Sequence, residues 1–97
     1  MLKIRVDDYK DISIFLRNEK DTFFKAIIDA IKSGWKNHLE RVEVAEFVIT
    51  NFESIVNIDI EKRDWEESLY LALYHYEDIE AYEKCIEVKD LITDIYG

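Results

Sequence analysis

The sequence predicts a mostly helical α+β fold in one domain of 97 residues. Three observations carry this. Leu2, Ile4 and Val6 alternate with Lys3 and Arg5, the period of a strand with one buried face. Residues 42–50 and 55–61 are two β-branched runs, rich in Val and Ile, separated by Asn51-Phe52-Glu53-Ser54. From Asp64 onward the apolar residues recur at helical spacing, with one interruption near Glu77-Asp78. Hydrophobic residues make up 48% of the chain, enough for a packed core. Two glycines and no proline imply long elements with few tight turns.

Taken in order, the N-terminal strand is followed by a segment, Tyr9 to Leu16, that fits either alternation or a helical turn. A helix over about 21–33 comes next, with Asp21 as its cap and Phe24, Ile27, Ile28 and Ile31 on one face. Gly34 stands where a left-handed glycine ends a helix, and Trp35 beyond it is expected to fold back onto the core. The runs 42–50 and 55–61 read as a β-hairpin. A helix over 41–52 competes for the first run, because Val42, Ala45, Val48, Ile49 and Phe52 also share a helical face.

The C-terminal third reads as an antiparallel helical hairpin, about 64–76 and 79–95. Asp64 with Glu67 three residues on forms an acidic capping box for the first helix. Trp65, Leu69, Ala72, Leu73 and Tyr76 make its apolar face, and Tyr70, Leu71 and Tyr74 project elsewhere, as an element sandwiched in the fold or a binding surface would have it. In the second helix Glu80, Glu83, Glu87, Asp90 and Asp94 fall within roughly 80° of arc at about 100° per residue, and Tyr82, Cys85, Val88, Ile92, Ile95 and Tyr96 gather on the other side. The expected core comprises Phe24, Ile27, Ile31, Trp65, Leu69, Leu73, Ile86 and Ile92.

The net charge of −9 is uneven. Residues 1–48 hold nine basic and nine acidic side chains, and residues 49–97 hold four against thirteen. Such acidity repels nucleic-acid backbones and anionic membranes, so no direct nucleic-acid or membrane binding is expected. It suits a protein partner with a basic surface, and a homodimer is compatible with it. Lone Cys85 permits no internal disulfide and no cysteine metal cluster, which fits a reducing, cytoplasmic setting. Lys3, Arg5 and Asp7-Asp8 interrupt any secretory apolar stretch.

Catalytic signatures are missing. His38 and His75 have no metal-ligand spacing, the glycines are too few for a phosphate loop, and Ser13, Ser33, Ser54 and Ser68 have no nucleophile-elbow context. The chain is expected to be no enzyme and to carry no cofactor. The tyrosines lie in acidic sequence, which argues against base stacking. The distinctive feature is the acidic stripe, read either as a solvated face or as a docking surface.

Two resemblances accompany this reading. Residues Ser68 to Ile92, SLYLALYHYEDIEAYEKCIEVKDLI, resemble the UVR motif of bacterial excision-repair proteins, through Glu80-Ala81-Tyr82-Glu83, Cys85 and Lys89-Asp90 followed by Ile92. That resemblance implies a helical hairpin used as an adaptor or assembly contact, without catalysis. The short, acidic, cysteine-poor character, together with Lys32-Ser33-Gly34-Trp35, is similar to small phage anti-defence proteins of the anti-CRISPR kind. This implies an inhibitor that mimics nucleic acid and acts in the cytoplasm of a bacterium or host cell.

Overall fold

The computed structural model describes residues 1–97 and has the order β-α-α-β-β-α-α. Strands β1 (Leu2–Val6), β2 (Arg41–Ile49) and β3 (Ser54–Glu61) form one sheet in the order β1-β2-β3. Helices are α1 (Lys10–Asn18), α2 (Lys20–Lys36), α3 (Trp65–Asp78) and α4 (Tyr82–Tyr96). The fold is α+β and mostly helical, and α3 and α4 form a hairpin-like pair.

Strand β1 runs parallel to β2, with Leu2 opposite Ala45 and Val6 opposite Ile49. Parallel neighbours need a crossover, and α1 and α2 supply it. The ambiguous segment after Tyr9 is therefore helical, and no residue of α1 is fully buried. Strand β3 is antiparallel to β2, so the hairpin reading prevails over a helix at 41–52. The pattern of β2 shifts at Glu43/Ala45, where Val44 is extra. This bulge turns both Val44 and Ala45 inward, and both are fully buried. Leu2, Ile4, Val6, Phe47, Ile49, Val56, Ile58 and Ile60 share the core side with them.

The core joins this sheet face to α2 (Ile27, Ile28, Ile31), α3 (Trp65, Leu69, Ala72, Leu73, Tyr76) and α4 (Cys85, Val88, Leu91). Ile86, expected inside, is 60% exposed. The inward arc of α4 centres on Cys85, Val88 and Leu91, and Ile86 lies one residue, about 100°, to the outer side. Phe24 and Ile92 are half-buried rather than core.

Three local expectations also fail. Helix α2 does not stop at Ser33. It runs to Lys36, and Gly34 is buried inside it, because a Cβ there would overlap Val42 Cγ1 and come within 3.1 Å of the Trp65 ring. The left-handed residue is His38 (φ 57°), and Leu39 N–H donates to Gly34 O at 2.9 Å, closing a Schellman motif. Neither Asp21 nor Asp64 caps through its side chain. Asp21 lies within the first turn of α2, and at Asp64 the backbone carbonyl instead accepts from Ser68 Oγ at 2.9 Å. Trp35 stays 38% exposed, with Lys62 Nζ 5.7 Å from its ring centroid.

Gly34→Ala is expected to destabilise the fold by up to about 2 kcal/mol. Alanine gains about 1 kcal/mol in helix propensity, but displacing Val42 and Trp65 costs about 1–3 kcal/mol. A urea midpoint that rises would show that the contact is not tight.

Candidate functional site

Helices α3 and α4 turn about a second Schellman motif. Ala81 N–H donates to Tyr76 O at 2.8 Å and Glu80 N–H to Glu77 O at 3.1 Å, with Glu80 at φ 57°. Glu80 therefore belongs to the turn and not to the helical stripe, which retains Glu83, Glu87, Asp90 and Asp94. A glycine costs least in this conformation, and here a glutamate occupies it.

The stripe is not uniform. Glu87 is drawn into the fold: Lys32 Nζ of α2 reaches its Oε1 at 2.5 Å, and Lys84 Nζ reaches its Oε2 at 3.2 Å. The hydrogen bond from Lys32, reinforced by Lys84, outweighs partial burial and holds this carboxyl below the usual carboxylate range. Its small stabilising share is present above the ordinary carboxylate pKa and is lost as pH falls through the lowered value. Residues 65–97 hold nine carboxylates, and Glu87 alone among them has a basic group within 4 Å. The other eight, Glu83, Asp90 and Asp94 included, are exposed. Exposed like charges one turn apart repel by a few tenths of a kcal/mol.

The same helical hairpin also carries uncovered apolar groups. On α3, Tyr70, Leu71 and Tyr74 point away from the stripe that buries Trp65, Leu69, Ala72, Leu73 and Tyr76. They are 39%, 51% and 56% exposed, and the two tyrosine rings lie 6.3 Å apart. The helix is thus covered on one side only and is not sandwiched. Tyr82 and Ile86 of α4 and Ile79 of the turn are also exposed. Tyr82, expected on the inward side of α4, therefore lies outside together with Ile86.

Helix α2 braces this hairpin. The His75 ring stacks on Phe24 at 5.0 Å, and its Nε2 lies 2.8 Å from Asp21 Oδ1. Tyr76, buried beside them, has its phenol pushed up to about 12 by burial, then by the charges of Asp21, Glu87 and Asp29. Burial and the charge of Glu66, in the first turn of α3, push the Tyr96 phenol up as well.

A separate cleft of about 910 Å³ opens between α2 and the starts of β1 and β2, lined by Leu2, Lys25, Ala26, Asp29, Arg41 and Glu43 among others. It is lined by no His or Cys and by no residue of α3 or α4. No three His, Cys, Asp or Glu side chains gather as metal ligands. No helix is long and apolar enough to cross a membrane. No family model, curated protein or solved structure matches the chain.

Two outcomes follow from this geometry. Glu80→Gly is expected to raise stability by about 1 kcal/mol, by releasing a non-glycine residue from the left-handed region. An unchanged thermal midpoint would contradict the strain. In alkali, the raised Tyr76 pKa contributes stability that is complete below the ordinary phenol pKa near 10 and is lost as pH rises toward about 12. Tyr76→Phe should therefore lose less stability than the wild type across that interval in chemical denaturation. Parallel curves would rule this out.

Proposed function

We propose that this protein is a non-catalytic interaction module of the inhibitor type. It presents the acidic, aromatic flank of its α3–α4 hairpin to a protein whose basic surface ordinarily holds nucleic acid. The observation that carries this reading is the occurrence of eight carboxylates that lack basic partners and of exposed Tyr70, Leu71 and Tyr74 in the same helical hairpin. Carboxylates one helical turn apart, about 5.4 Å, crudely follow a row of phosphates. Interfaces favour such aromatic anchors within a polar rim. The charges act chiefly on encounter rate and salt dependence.

A second reading rests on the exposed Tyr82 and Ile86. In it the hairpin docks through apolar contacts, as a UVR-like adaptor, and the acidity is incidental.

Glu83→Lys with Asp90→Lys tests the first reading without touching Glu87, which the fold itself uses. The double variant should fold normally. Wild type and variant would serve as bait in the native host's lysate at low and high salt. A basic, nucleic-acid-binding protein retained by the wild type, released by salt and lost at least tenfold by the variant supports the proposal. Single Glu83→Gln should weaken binding only two- to fivefold, about the worth of one exposed charge pair. Equal, salt-insensitive capture by both baits would favour the apolar adaptor instead.

A further inference from the structure

Strand β3 is an outer edge of the sheet, eight residues long, with β2 on one side and no strand on the other. Such edges expose unpaired backbone N–H and C=O groups and are normally blunted by Lys or Arg, proline or a bulge. The opposite edge, β1, carries Lys3 and Arg5. Strand β3 has no Lys, Arg or proline, and its only charged residues, Asp59 and Glu61, each have an arginine of the same chain beside them. Its sequence is Ser-Ile-Val-Asn-Ile-Asp-Ile-Glu, and the bulge lies in β2. Its core side, Val56, Ile58 and Ile60, is only half-buried, and Ile55 on the outer face is 59% exposed.

Charge on this edge differs from that of the α3–α4 hairpin, where eight of nine carboxylates have no basic group within 4 Å. The chain carries −9, yet each acid of β3 has an arginine of the same chain beside it. Arg41 Nη2 lies 2.9 Å from Asp59 Oδ2, and Arg63 Nε lies 3.0 Å from Glu61 Oε2. Asp59 Oδ1 is buried with no hydrogen-bond partner.

We propose that β3 pairs antiparallel with β3 of a second copy of this chain, about a two-fold axis at Ile58, to make one continuous sheet. The sequence selects that register. Residues facing each other across an antiparallel pair share a sheet face. With Ile58 opposite Ile58 of the second copy, Val56 meets Ile60 on the core side. On the outer side Asn57 meets Asp59, and Ile55 meets Glu61. No like charges oppose, and the Asn57 amide is placed to donate to Asp59. Moving the axis to Asp59 sets Asp59 against Asp59, and moving it to Asn57 sets Ile55 against Asp59 and Ser54 against Ile60, which loses both the Asn57–Asp59 and the Val56–Ile60 pairs. Like charges directly opposite are destabilising.

One strand pair is a small interface, so the dissociation constant should be on the order of micromolar. Because two acidic copies repel at long range, added salt should strengthen the dimer. This is opposite to the salt response of the acidic hairpin toward a basic partner, so either idea can fail without the other. Sedimentation velocity of the purified chain over a concentration series, at low and high salt, is the measurement. A dimer that grows with concentration and salt supports the proposal, as does an Ile58→Lys variant that keeps its circular dichroism and is monomeric. Should that variant not fold, mild oxidation of Ile58→Cys gives a second readout, with wild type carrying only buried Cys85 as control. Ile58→Cys should form an interchain disulfide at least tenfold faster than Val56→Cys, which lies opposite Ile60. A monomer at every concentration, or equal cross-linking of the two cysteines, would overturn it.

Discussion

The contact between Trp65 and the backbone of Gly34 is the constraint on which the rest depends. The indole is fully buried, and its Nε1 donates to Ile60 O at 3.2 Å. It sits where α2 ends, β2 begins, β3 ends and α3 starts. With no side chain at position 34, Val42 and the Trp65 ring pack directly against the helix backbone. Four element ends are thereby held at one point, and the direction in which α3 leaves the sheet is set there. Dense packing makes such a junction intolerant of even one added methyl group.

From that junction α3 runs back along α2. His75 and Tyr76 at its far end meet Phe24 and Asp21 near the start of α2. Helix α4 then returns, tied to α2 through Lys32 and Glu87. The hairpin is therefore braced at both ends and along its length. Its outward flank owes its rigidity to contacts made by residues that never reach that flank. Groups held on packed helices have less conformational freedom to lose than groups on a loop.

The chain makes its sharp turns almost without glycine. His38, Glu53 and Glu80 all occupy positive φ, while Gly34 is spent on close packing. Backbone hydrogen bonds hold these residues in place: the two Schellman motifs after α2 and α3, and Glu53 N–H to Thr50 O at 3.4 Å in the hairpin turn. Positive φ costs a non-glycine residue about 1–2 kcal/mol, so the surrounding packing must over-determine each turn.

Local pattern determined much of this protein. Alternation at Leu2–Val6, the two β-branched runs and the apolar stripe of α3 depend on neighbours within a few residues, so the strands, the hairpin and the C-terminal helices were legible from the sequence. The acidic stripe of α4 was legible for the same reason. What the sequence could not hold was which groups meet across the chain. Glu87 is bound because Lys32, far away in sequence, lies beside it. Ile86 is outside because neighbouring helices bury the arc around Cys85, Val88 and Leu91. Gly34 is a packing glycine because Val42 and Trp65 press on it. A helix face has no inside until another element covers it, and only the tertiary structure decides which arc is covered and which charge finds a partner.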